Sequence, residues 1–331
     1  MNHSSNRRKT ILLRISVMTL ILLIGTAVFI YGYAMYLLNK IQYEDSAAIP
    51  SLSQAMAIPG TLPLADNEIL PAKADSLSVQ PINILLIGQD RQPGEQYSRS
   101  DSMILCTFRK EDGQLIMTSI LRDLYVSIPG HGDNRINAAY ASGGSQLLQK
   151  TIEANFQIPI AGTVEVDFSQ FASIIDILGG VTMELRQDEA DAINSTCCGT
   201  VYPGVQLLTG QQALTYARIR KLDSDGDFSR TQRQRKLLSA LLNRYRCANL
   251  SQLVATLETV LPMVTTDLSK QQILGLMLEI GPSLPQLQIH TQHVPAEGTY
   301  QYQKIRGMSV LVADMDAARS LLQRICTGEN N

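Results

Sequence analysis

The chain has 331 residues, a formal net charge of −2, 45% hydrophobic content and 18% charged content, so it has room for a short tail plus one large domain or two small ones. Five cysteines are too few for a disulfide scaffold and lack metal-site spacing. The near-neutral charge and few aromatics, with no tryptophan, argue against a nucleic-acid binder.

No charged residue occurs from 15 to 38, a run long enough to span a bilayer as a helix, with Tyr31, Tyr33 and Tyr36 near its outer end as an aromatic belt. Arg7, Arg8, Lys9 and Arg14 precede it, which keeps the short tail 1–14 in the cytoplasm and puts everything after about residue 39 outside. The competing reading is a cleaved signal peptide, but the apolar run is longer than the usual hydrophobic region and no small-x-small site follows directly. In that oxidising space one bridge from Cys247 to Cys197 or Cys198 is open, whereas Cys106 reads as a small core residue. The odd count leaves at least one thiol over, with Cys326 also available.

Residues 39–80 are rich in Ser, Ala, Pro and Asp without period and read as a tether, leaving 81–331 as the extracellular domain. Strands are expected over 82–88, 102–108, 115–120, 126–129, 163–168, 181–185 and 287–294. Helices are expected over 143–156, 169–178, 209–217, 250–261, 268–280 and 314–325, and from about Arg230 through Leu242, where Ser229 and Gln232 have the form of a capping box. Strands alternating with helices predict a layered α/β/α domain with a central mixed sheet.

The stretch 216–236 carries Arg218, Arg220, Arg230, Arg233 and Arg235, with Asp223, Asp225 and Asp227 interleaved. Planar guanidinium forks suit phosphate oxygens, and Arg218 and Arg220 point the same way if that segment is extended. An internal salt-bridge network is the plainer alternative. Asp90 follows the first strand and Asp101 precedes the second; if the strands are neighbours, both carboxylates project from one sheet end and suit Mg²⁺ shared with a substrate phosphate. Either could instead cap a turn. Arg122 and Asp123 end the third strand at the same edge, and Gly143-Gly144 opens a helix whose amides could hold an anion. The histidines show no relay or zinc spacing, and Gly-x-Ser-x-Gly is absent. Arginines with paired acids favour phosphoryl transfer or pyrophosphate binding over acyl or hydride chemistry.

The blocks Asn83-Ile-Leu-Leu-Ile-Gly-Gln-Asp90, Arg99-Ser-Asp101, Ser119-Ile-Leu-Arg-Asp123, Arg135-Ile-Asn-Ala-Ala-Tyr140, Leu208-Thr-Gly-Gln-Gln-Ala-Leu214, Tyr216-Ala-Arg-Ile-Arg220 and Gly226-Asp-Phe-Ser-Arg-Thr-Gln-Arg-Gln234, in this order, resemble the LytR-CpsA-Psr family of bacterial envelope proteins. The resemblance implies a membrane-anchored phosphotransferase that moves an anionic glycopolymer, of teichoic acid or capsule type, from an undecaprenyl-pyrophosphate carrier to a peptidoglycan hydroxyl with Mg²⁺. It implies that Asp90 and Asp101 hold the metal, that Arg99, Arg122, Arg218, Arg220 and Gln234 grip the pyrophosphate with help from Arg230 and Arg233, and that Asp227 or Asp123 orients the acceptor. A greasy tunnel for the lipid is expected between sheet and outer helices. Leu121 replaces the family's usual proline and Arg135 its usual lysine. A non-catalytic lipid-pyrophosphate carrier or sensor is the alternative. A membrane-bound transcriptional attenuator is another, for which the tail before Ile15 looks too short.

Overall fold

The computed structural model describes residues 32–44, 81–90, 100–197, 199–220, 222–223, 226–246 and 250–327. Arg99, Cys198 and Cys247, and most of the expected membrane span and tether, lie outside them.

A seven-stranded mixed sheet forms the centre, in the order β1-β10-β7-β2-β3-β4-β11. Its strands are β1 (Gln42–Tyr43), β2 (Ile82–Gln89), β3 (Ser100–Arg109), β4 (Gln114–Ile120), β7 (Gly162–Asp167), β10 (Thr265–Thr266) and β11 (Gln288–Val294). Three two-stranded ribbons pair β5 (Tyr125–Ile128) with β6 (Gly132–Arg135), β8 (Val181–Leu185) with β9 (Gly204–Leu208), and β12 (Tyr300–Ile305) with β13 (Met308–Ala313). The helices are α1 (Asn137–Phe156), α2 (Phe168–Ile177), α3 (Gln187–Thr196), α4 (Gly210–Arg218), α5 (Asp227–Tyr245), α6 (Leu250–Val260), α7 (Lys270–Ile280) and α8 (Met315–Thr327).

The alternation of β2 decides how the layers differ, because successive side chains of a strand face opposite sides. Leu85 and Ile87, with Met103 and Leu105 of β3, are buried in a core completed by Tyr140, Leu148, Ile152 and Phe156 of α1 and Leu322 and Ile325 of α8. Each such side chain contributes about 1.5–3 kcal/mol. The intervening positions Leu86 and Gly88, with Ser102 and Ile104 of β3, face α2, α4 and α5 across a cavity instead. Those helices have a core of their own with the β8–β9 ribbon, around Ile175, Val181, Ile193, Tyr216 and Leu237. The second layer is thus closed on itself and leaves a gap against the sheet.

Four expectations need correction. The tether does not begin at residue 39: Leu38 and Ile41 are buried and Gln42–Tyr43 pairs with β10, because the apolar residues after the uncharged run find a free sheet edge. The helix carrying the arginines starts at Asp227, so Ser229 and Gln232 form no cap. Gly226, at φ 47°, makes the turn before it, and Asp227 is the acid that an electropositive helix N-terminus favours. Arg230 and Arg233 therefore sit beyond the first turn. The expected helix over 143–156 is the second part of α1, with non-helical backbone at Gly143 and Gly144. At its N-terminus Ser145 Oγ donates to Glu44 Oε2, so an acidic side chain stands beside the amides expected to meet an anion. Finally, Cys197 is a free thiol, as are Cys106 and Cys326, which removes Cys197 from the expected bridge; the alternative from Cys198 to Cys247 lies outside the described residues. The chain's patterning missed α3, β9 and the β12–β13 ribbon.

Candidate functional site: an arginine mouth over an apolar cavity

At the carboxyl end of β2 the register with β3 slips: Gly88 opposes Ser102 and Gln89 opposes Ser100, leaving Asp101 as the extra residue of a bulge. A bulge re-aims its side chain, and Asp101 faces three arginines from distant segments. Arg122 Nη1 is 2.5 Å from Asp101 Oδ1, Arg220 Nη2 is 3.6 Å from the same oxygen, and Arg230 Nη2 donates to the Asp101 carbonyl at 3.2 Å. Asp90, at the adjoining strand end, receives Arg218 Nη2 at 2.7 Å. Both carboxylates are therefore engaged by arginines.

Arg218 is the last residue of α4 and Ile219 is extended, so Arg218 and Arg220 reach the same mouth while Ile219 is buried between them. Arg218 also lies over the Phe168 ring, 5.1 Å from its centre. The loop after β4 is clamped from below: Arg135 Nη1 donates to Asp123 Oδ1 at 3.1 Å and Asn137 N to the Arg122 carbonyl at 3.3 Å. Tyr140 Oη, 2.8 Å from Gln89 Oε1 and 2.6 Å from Glu165 Oε2, ties the same segment to the ends of β2 and β7.

Asp227 completes the cluster, 2.7 Å from Arg230 Nη2 and 3.4 Å from Arg122 Nε. Burial raises its pKa, against the pull of Arg230 and Arg122. Burial likewise lowers Arg230 to about 10, against Asp227. Burial works against the Arg122 cation too, but Asp227, Asp101 and Asp123 outweigh it and its pKa rises.

The arginines divide sharply. Arg218 and Arg220 expose 49% and 45% of their side chains, and Arg122 exposes 21%. Arg233 is buried and not part of the mouth: its Nε donates to Glu189 Oε1 at 2.9 Å and its Nη2 to Asp223. The internal network weighed as the plainer reading is correct for Arg233 and also for Arg230, which is 2% exposed and paired with Asp227. Glu189 was missed because α3 was missed, although Asp188 and Glu189 after Arg186 have the acidic first turn of a helix. Arg235 is also buried, makes no ion pair among the described residues, and is lowered by burial to about 10.

Behind Arg218 lies the cavity, about 680 Å³ including its open mouth, walled by Leu86, Ile104, Val164, Val166, Phe171 and Leu214. Gln234, accepting from Ser102 Oγ at 3.0 Å, shares its rim with Arg218. On the other side of Arg218 and Arg220 an open groove of about 1160 Å³ runs between α3 and α4, bordered by Ser195, Thr196, Gln211 and Thr215. Among the described residues no group of three or more His, Cys, Asp or Glu could hold a metal ion.

The site thus joins guanidinium groups to the rim of an apolar cavity in a mixed-sheet α/β domain, an arrangement that can take a charged group and an apolar one side by side. The chain belongs to the LytR_cpsA_psr family, whose pattern matches residues 61–325. It is 34% identical over 251 residues to TagU of Halalkalibacterium halodurans, a polyisoprenyl-teichoic acid–peptidoglycan teichoic acid transferase, covering 75% of this chain and 78% of that one. Among solved structures it is similar to TagT bound to LIIa-WTA, with TM-score 0.62, 27% identity and coverage of 77% of this chain and 93% of that one. It is also similar to the LytR-CPS2A-psr family protein YwtF (TagT) with bound octaprenyl pyrophosphate lipid, with TM-score 0.59, 25% identity and coverage of 77% and 94%.

Proposed function

We propose that this chain transfers an anionic glycopolymer of the teichoic acid type from a polyprenyl-pyrophosphate carrier to a peptidoglycan hydroxyl, as an envelope protein with a cytoplasmic tail, a span in the uncharged run that begins at residue 15, and an external catalytic domain whose fold takes in the end of that run. The observation that carries this reading is Arg218, which borders both the apolar cavity and the open groove, with Arg122, Arg220 and Arg230 beside it. The lipid occupies the cavity, the diphosphate meets the guanidinium groups, and the glycan lies toward the groove. The names of the relatives point the same way.

The exposed pairs Arg218–Asp90 and Arg220–Asp101 contribute only about 0–1 kcal/mol each, so a diphosphate offering several charge-assisted hydrogen bonds displaces them. The acceptor oxygen forms a new bond to the phosphorus that bears the glycopolymer, the bridging P–O bond breaks, and polyprenyl phosphate leaves. Asp227, with Asp123 beside Arg122, orients the hydroxyl and takes its proton. The donor set at the strand ends could hold Mg²⁺: two partly exposed carboxylates whose arginine contacts run through Asp90 Oδ2 and Asp101 Oδ1, with few other hard ligands nearby. When bound there, the ion supplies charge neutralisation at the leaving phosphate. Arg99 falls outside the described residues, and its part in gripping the diphosphate rests on the resemblance.

The test is transfer of a lipid-linked polymer to peptidoglycan by the full chain. Arg218→Ala and Asp101→Ala are expected to abolish transfer while the fold persists, and retained transfer by both refutes the reading. Wild-type protein that binds the lipid without transferring polymer is a carrier instead.

A further inference from the structure

The helical segment from Leu250 to Leu287 is poorly charged, with only Glu258, Asp267, Lys270 and Glu279 ionisable over its length. Helix α7 has six apolar residues among its eleven, Ile273, Leu274, Leu276, Met277, Leu278 and Ile280, yet none is buried. Leu278 is 79% exposed and Met277 48%, the outward apolar face of a helix whose other apolar residues are half-buried. An apolar helix of this kind lies against something apolar.

Its position says what. Residues 33–42, which begin inside the uncharged run 15–38 and continue past its end, are fastened to this segment at successive points. Tyr33 Oη donates to Glu258 Oε1 of α6 at 2.6 Å, Lys270 Nζ at the start of α7 donates to Asn39 Oδ1, and Gln42 Nε2 donates to the Pro262 carbonyl at 2.9 Å. Tyr36, another exposed aromatic, stands on the same stretch with Lys40 over its ring at 5.0 Å, the pairing of an interfacial belt. Helix α6 packs in turn on α2, whose Phe168 and Phe171 wall the apolar cavity.

We propose that α7, with Tyr36, is seated in the interface of the bilayer, so that the domain lies on the lipid surface with the α6–α2 side of its cavity toward the bilayer. The occupant is lipid rather than a protein partner, because the chain arrives at this face from an uncharged stretch of bilayer-spanning length. That lipid passes from bilayer to cavity rests on the proposed function; the seating of α7 does not.

The chain has no tryptophan, so a single Leu278→Trp is a clean reporter in the full chain reconstituted into vesicles. Its emission is expected to be blue-shifted and quenched by brominated acyl chains, with Tyr302→Trp on the β12–β13 ribbon as aqueous reference. Emission at the aqueous position overturns the proposal, as does a blue shift that brominated lipid fails to quench, which would mean that protein covers the helix. Met277→Glu with Leu278→Glu is then expected to slow transfer from a long-chain donor in vesicles by about tenfold, the equivalent of about 1.4 kcal/mol, and to spare a water-soluble short-prenyl donor. Equal slowing of both donors overturns the delivery role and leaves the transferase assignment intact.

Discussion

Arg218 and Arg233 are the same residue type in one short stretch, and their surroundings give them opposite duties. Arg218 is half exposed on one carboxylate, whereas Arg233 is closed in by Glu189 and Asp223. Removing one partner of a buried pair strands the other and costs about 3–5 kcal/mol, so Arg233→Ala is expected to lower the melting temperature markedly. Arg218→Ala is expected to leave the melt unchanged and weaken binding of a polyprenyl pyrophosphate by about tenfold or more, from the loss of a charge-assisted contact. Thermal melts and lipid binding on both variants check this. Asp227 gives the pH dependence: its folded pKa is raised by burial, so the carboxyl ionises later than an ordinary aspartate. A proton acceptor must be ionised, so the acid limb of the transfer profile is expected at higher pH than an ordinary aspartate would give, and Asp227→Asn to remove it. The sign for stability is opposite: with the folded pKa above the unfolded one, this group's stabilising contribution is present below the unfolded value and lost as pH rises through the folded one. A loss of stability on acidification therefore has its source elsewhere. Asp223 is one such source, because Arg233 lowers its pKa and its contribution disappears as pH falls through that value.

At the scale of elements, α4 delivers Arg218 because it lies close against α2. Gly210, at its first turn, donates to Asp176 Oδ1 at 2.7 Å, and a Cβ there would come within 1.9 Å of the Ala172 carbonyl oxygen. Since that obstacle is backbone, Gly210→Ala forces the helices apart. It is expected to destabilise the domain by at least about 1–3 kcal/mol, read by urea denaturation, and to weaken diphosphate binding by shifting Arg218. The capping box from Thr209 to Gln212 that marks this helix was legible, because capping is local chemistry. The start of α5 was not, because Gly226 and Asp227 fix it by backbone conformation and position rather than by a side-chain cap.

For the whole molecule, the cavity exists because one sheet face is packed by α1 and α8 while α2 to α5 close on the β8–β9 ribbon. Its volume is a property of that mismatch, and filling it is expected to act on the tail and not on the head. Val164→Phe on β7 grows into the void. The expected outcome is about tenfold weaker binding of long polyprenyl pyrophosphates, with short-chain pyrophosphate retained, measured by competition in the same assay. The tail supplies the apolar burial, at about 25 cal/mol per Å², and the head meets unchanged arginines.

The choice of Arg122, Arg218 and Arg220 as one candidate anion site, and the strand-end position of Asp90 and Asp101, followed from the chain itself, because strand alternation and motif order are written in short-range pattern. The sequence likewise determined the mixed α/β layering and the family. Only the tertiary structure decided that Arg230, Arg233 and Arg235 are buried, that Gln42–Tyr43 joins the sheet, and that a cavity opens behind Arg218. The reason is physical: burial of a guanidinium, and the gap between two layers, depend on neighbours far away along the chain, such as Glu189 for Arg233, and no local pattern encodes them.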